Sequence, residues 1–112
     1  MSVMDHGREA CLEAHRICLE TASYLSTASG DSVGAEDIRL LFNTAELCRM
    51  SAGLLRGAAG TLSGAYAACA ELCELTARYC DRRGEDSRLR DCASACRRCA
   101  EACRGLATVP AA

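Results

Sequence analysis

Cysteines recur along this chain at steps of three and four residues, and that spacing constrains the fold more than any other feature. Near the C-terminus they stand at Cys92, Cys96, Cys99 and Cys103. Such steps return side chains to one face of an α-helix. The same four-three-four template finds Cys69, Cys73, Thr76 and Cys80 further upstream. It finds Cys11, His15, Cys18 and Ala22 near the N-terminus, and Thr44, Cys48, Ser51 and Leu55 between them. All 10 cysteines fall on these stripe positions. The spacing therefore predicts four helices, each with one thiol-bearing face.

Breaks between the stripes set the helix limits. Gly30, Asp31, Ser32 and Gly34 give the first connection its turn chemistry, and Gly57 and Gly60 break the second. Thr61 or Ser63 can cap the third helix. Gly84, Glu85, Asp86 and Ser87 form the last turn, with Asp86 or Ser87 as the N-cap of the fourth helix. The expected helices cover about 3–29, 35–56, 62–83 and 87–107, within a single domain spanning 1–112. Residues 108–112 form a frayed tail. Four helices of similar length on short connections predict an all-α, antiparallel up-down-up-down four-helix bundle with a Cys-lined interior. Glu13, Arg16 and Glu20, and Arg97, Arg98, Glu101 and Arg104, fall on the outward faces.

Antiparallel helices aligned end to end predict which stripe residues meet. One end layer holds Cys11, Leu55, Cys69 and Cys103. The next holds His15, Ser51, Cys73 and Cys99. A third holds Cys18, Cys48, Thr76 and Cys96, and the far end holds Ala22, Thr44, Cys80 and Cys92.

The bulk properties exclude several functions. A formal net charge of −2 gives no electrostatic case for nucleic acid or an anionic membrane. No stretch is long and apolar enough to span a bilayer. No Ser/His/Asp set, carboxylate pair or phosphate loop is apparent, since Gly57-Ala58-Ala59-Gly60 lacks a following Lys. The expectation is no enzyme, no catalytic residues and no organic cofactor. Dense cysteine usually signals a secreted disulfide scaffold. Here residues 1–12 lack a signal-peptide pattern. Neighbours on one helix sit about 5–6 Å apart at Cβ, too far for an unstrained disulfide. A reducing, cytoplasmic setting with free thiols is expected.

Packing accounts for one or two inward cysteines, which behave as small hydrophobes. It does not account for 10 with none off the stripe. Thiolates select Cu(I), Zn(II) and iron–sulfur clusters. Structural zinc sites commonly use one compact group of four ligands, whereas this chain carries a ladder. The bacterial iron–sulfur run has intervening counts of two, two and three; here they are three, two and three, which suits a continuous helix. Pairs of thiolates serve Cu(I), and shared sulfurs can hold several ions. The expected ligands are Cys11, Cys18, Cys48, Cys69, Cys73, Cys80, Cys92, Cys96, Cys99 and Cys103, with His15 on the same stripe as a ligand or gate. Met50, one residue off the stripe, is expected to pack, and His6 and Met4 to be terminal surface residues.

At these residues the chain resembles the cysteine-rich four-helix-bundle copper-binding proteins, the copper storage protein family. Thr44-Ala45-Glu46-Leu47-Cys48-Arg49-Met50-Ser51-Ala52, followed by Leu54-Leu55-Arg56-Gly57, is similar to that family's second helix. Cys69-Ala70-Glu71-Leu72-Cys73 with Cys80 is similar to its third. Asp91-Cys92-Ala93 through Cys96-Arg97-Arg98-Cys99-Ala100 to Cys103 is similar to its fourth, and His15-Arg16-Ile17-Cys18-Leu19-Glu20-Thr21-Ala22 to its first. The resemblance implies a bundle whose interior cysteines bind many Cu(I) ions, often within a homotetramer, in a member of the cytosolic kind. Thr44, Ser51, Leu55, Thr76 and Ala22 occupy stripe sites without a thiol, which implies a smaller capacity. Binding a few ions for delivery to a protein partner, or for detoxification, is equally compatible. Two alternatives stay open on the residues alone: electron transfer through an iron–sulfur cluster, and a thiol redox sensor using cross-helix disulfides.

Overall fold

The computed structural model describes residues 2–28, 33–54 and 63–107. Four helices account for nearly all of them: α1 (Val3–Ala28), α2 (Ala35–Leu54), α3 (Ser63–Arg82) and α4 (Ser87–Ala107). Gly30, Asp31, Ser32, Leu55, Gly57, Gly60, Thr61 and the tail 108–112 lie outside the described residues.

Local chemistry starts and stops the helices. The Asp5 amide donates to Ser2 Oγ at 3.1 Å, and the Ser2 amide donates to Asp5 Oδ2 at 3.4 Å. This reciprocal pair caps α1. Asp37 plays the same part at the start of α2, accepting from the Gly34 amide at 3.0 Å. Asp86 is the N-cap of α4, its Oδ1 accepting from the Arg88 amide at 2.9 Å. Gly84 ends α3 with φ of +101°, a left-handed conformation that favours glycine. Tyr24, near the end of α1, donates its hydroxyl to Asp86 Oδ2, and the Arg88 guanidinium lies 4.9 Å from the Tyr24 ring centre. The end of α1 is thereby tied to the start of α4.

The pairs α1–α2, α1–α4, α2–α3 and α3–α4 are in contact. Neighbours run antiparallel. Cys11 meets Cys103 and Cys18 meets Cys92 across α1–α4, while Arg97 pairs with Asp81 and Arg104 with Glu74 across α3–α4. The charged outer faces stay in water, where such pairs contribute little. The fold rests instead on the inward stripes. Alanines flank the cysteines, with Ala14, Ala45, Ala52, Ala70, Ala77, Ala93 and Ala100 buried in one cluster with them. These small side chains let the helices close until even diagonal sulfurs touch: Cys48 on α2 lies 3.8 Å from Cys99 on α4.

Larger side chains fill the two ends. By topology, Tyr66 and Leu106 belong to one end, and Leu25, Leu41, Tyr79 and Leu89 to the other; all are buried. Full burial of each such side chain stabilises by about 1.5–3 kcal/mol. The apolar ends therefore hold the bundle closed around a softer middle.

One expectation is corrected. Cys48 does not share a layer with Cys18, Thr76 and Cys96. It meets Cys73 at 3.5 Å and Cys69 at 3.9 Å, while Thr44 meets Thr76 at 2.7 Å. Helix α2 thus sits one rung from the end-aligned register. Its inward stripe begins at Leu41 and continues through Thr44 and Cys48 to Ser51, all fully buried. The physical reason is pairing of like with like. The shift gives Thr44 a hydroxyl partner and gives Cys48 thiol neighbours. Met50 also departs from expectation, being about half exposed at 49 %.

Candidate metal centre

All 10 cysteines are free and buried. Their sulfurs form a chain of contacts through the bundle. At one end Cys103 lies 3.7 Å from Cys11, which lies 3.6 Å from Cys99. Cys99 lies 3.8 Å from Cys48 and 4.0 Å from Cys69. Towards the other end, Cys18 lies 3.6 Å from Cys96 and 4.0 Å from Cys92. These are contacts between reduced thiols; a disulfide would bring its sulfurs to about 2.05 Å.

Three groups can each surround an ion: Cys48, Cys69, Cys73 and Cys99; Cys11, Cys99 and Cys103; and Cys18, Cys92 and Cys96. Cys99 belongs to two of them. Nine of the expected thiol ligands thus gather into two blocks, one around Cys99 and one around Cys18, with Cys96 of the second block also acting on Cys73 of the first. Cys80 belongs to none of the three groups, although Cys92 is the neighbour that most strongly acts on it. His15 also stands outside them. It is half-buried, and its Nδ1 lies 2.9 Å from the Ala45 carbonyl oxygen. Donation from Nδ1 to that carbonyl would leave Nε2 as a free electron-pair donor.

Neighbouring thiols and burial set the proton affinities. Contacts with Cys92 and Cys96, together with burial, push the Cys18 thiol well above the ordinary range. Contacts with Cys48 and Cys69 push up Cys73, and contact with Cys92 and burial push up Cys80. Cys69 and Cys92 move the other way. Contacts with Cys103, Cys11 and Cys48 hold Cys69 low. Cys18, Cys80 and Cys96 do the same for Cys92. Each block thereby contains one sulfur, Cys69 or Cys92, whose proton affinity is lowered beside thiols such as Cys73 and Cys18 whose affinity is raised.

Among the described residues no charged side chain is buried with the thiols; the buried polar residues there are Thr21, Thr44, Ser51 and Thr76. A buried ion must be balanced within the site itself. One Cu(I) held by two unshared thiolates leaves a net negative charge in this core. Sharing sulfurs between ions approaches one thiolate per Cu(I), and the surplus vanishes. Cys99, as a member of two groups, is the sulfur positioned to be shared between them.

By topology two polar side chains stand near the Cys11–Cys103 end, Ser51 from the predicted stripe and Tyr66 outside the four-position template. Tyr66 is fully buried, with Cys103 and Cys11 among the groups acting on its hydroxyl. Neither its hydroxyl nor the buried Ser51 Oγ has a hydrogen-bond partner among the described residues. The signal was present in the sequence, because Tyr66 lies three residues before Cys69 on the same stripe.

An antiparallel helix bundle whose interior is a continuous run of free thiols defines a class: intracore binders of soft metal ions. Within that class, the family model of the copper storage proteins (Csp) matches residues 2–108, and the chain belongs to that family. No curated protein and no solved structure matches the chain. No described helix is long and apolar enough to cross a membrane.

Proposed function

We propose that the chain stores several Cu(I) ions on thiolates inside the bundle. The observation that carries this reading is the sulfur network at 3.5–4.0 Å, joined through Cys99, in a core where no described residue buries a charge. Soft thiolates favour Cu(I) over hard cations, and burial keeps water and oxidants away from both metal and sulfur. Unshared pairs would give about five ions for 10 cysteines, and full sharing about ten. No catalytic role is proposed. His15, whose Nδ1 is engaged by the Ala45 carbonyl, is proposed as an auxiliary ligand through Nε2. A cytoplasmic location fits free thiols, and exposed Phe42, Met50 and Leu75 offer apolar area for association of copies into the family's homotetramer.

An anaerobic Cu(I) titration of the reduced protein against a competing chelator tests the reading. Several tightly held equivalents are expected, none of them surviving prior alkylation of the unfolded chain. A brown protein with visible absorbance as isolated would favour the iron–sulfur alternative instead.

A further inference from the structure

We propose that Cys48, Cys69, Cys73 and Cys99 form a tetrahedral site for one divalent thiophilic cation of the Zn(II) class. The proposal does not depend on copper storage. Tetrahedral Zn–S bonds of about 2.3 Å place sulfurs about 3.8 Å apart. Four edges of this tetrad measure 3.5, 3.8, 3.9 and 4.0 Å, and all four sulfurs lie within 4.8 Å of one another. Small side-chain rotations close the figure around one ion.

Three helices supply the corners. Cys69 and Cys73 stand one turn apart on α3, Cys48 projects from α2 and Cys99 from α4. The ligands are therefore held by packed backbone before metal arrives. All four are fully buried, so no water or carboxylate competes and hard cations gain nothing there. The other two groups offer three sulfurs each.

Charge decides which ion suits the tetrad alone. Four thiolates around a monovalent ion leave a surplus of three negative charges; around a divalent ion they leave two. The smaller surplus favours the divalent ion in this buried site. Occupation by a divalent ion withdraws Cys99 from the Cys11–Cys103 group but leaves Cys18, Cys92 and Cys96 free. One chain can then hold a divalent ion in one block and copper in the other.

Co(II) is the probe, added anaerobically to the reduced full chain and then displaced by Zn(II). The expected result is one Co(II) per chain, with the intense visible d–d bands and the sulfur-to-metal charge transfer of tetrahedral thiolate coordination. Cys48→Ser and Cys73→Ser, each checked for helical circular dichroism, should weaken binding beyond the roughly 10–100-fold cost of losing a ligand's supporting hydrogen bond. Cys18→Ser/Cys92→Ser should keep the one-equivalent spectrum. A weak octahedral spectrum, several equivalents without a break at one, or equal loss in the Cys18/Cys92 variant would overturn the proposal. Because the readout is cobalt coordination, it stands or falls separately from any Cu(I) titration.

Discussion

Replacing Cys99 by Ser should cost more copper than replacing Cys80 by Ser, although the two changes disturb the fold alike. Cys99 is fully buried and Cys80 nearly so, at 0 % and 1 % exposure. Both lose a sulfur and gain a hydroxyl of similar volume inside a helix. A buried hydroxyl without a partner costs about 1–3 kcal/mol. A helical Ser can reduce that by bonding back one turn, as Thr44 does to the Leu40 carbonyl at 2.8 Å and Thr76 to that of Leu72 at 3.0 Å. About 1 kcal/mol is the expected cost, which lowers the melting temperature by roughly 4–8 °C in a domain of this size. Copper content should separate the variants. The Cys99 sulfur belongs to two of the three groups and touches Cys11, Cys48 and Cys69. Its loss should release about two ions, against about one or none for Cys80, if shared thiolates hold the metal. Native mass spectrometry of the Cu(I)-loaded proteins, paired with apo melting curves, reads both quantities. Equal copper loss in the two variants would refute the sharing argument. Matched falls in melting temperature with no copper loss would make these cysteines packing residues.

Three further outcomes are expected. The metal-free, reduced protein should show a fully helical circular dichroism spectrum, because Leu25, Leu41, Tyr66, Leu89 and Leu106 bury a core without metal; a coil spectrum recovering on loading would contradict this. Apo stability should fall as pH rises above about 8.5, where thiols of the unfolded chain ionise. Seven folded thiols have raised pKa values against two lowered, so their contribution is complete below that pH and lost above it; denaturant melts from pH 7 to 10 would expose a flat or rising profile. Thr44→Cys/Thr76→Cys should raise copper capacity by adding two thiols to the ladder in place of the present 2.7 Å hydroxyl pair, and unchanged capacity by titration would argue against interior thiols as the ligands.

Much of the fold was legible because one periodicity runs through it. The stripe located every buried thiol, and its next steps also locate the end plugs: Leu25 three residues after Ala22, Leu41 three before Thr44, Leu89 three before Cys92, and Leu106 three after Cys103. The register of α2 was not legible. One cysteine on that helix leaves its axial position open, and the choice falls to contacts between helices, above all Thr44 with Thr76. The grouping of sulfurs followed the register, so the tetrad around Cys48 and the double membership of Cys99 emerged only in three dimensions. Met50 was misplaced for a simpler reason. Its apolar side chain favours burial, but its position one residue off the stripe turns it towards solvent.

The most direct test of copper held by interior thiolates is X-ray absorption at the copper edge of the protein loaded anaerobically with Cu(I). The expected first coordination shell is dominated by sulfur, with copper–copper scattering from bridged ions and at most a minor nitrogen contribution from His15. A shell dominated by nitrogen or oxygen would place the metal on the surface, and would contradict the account.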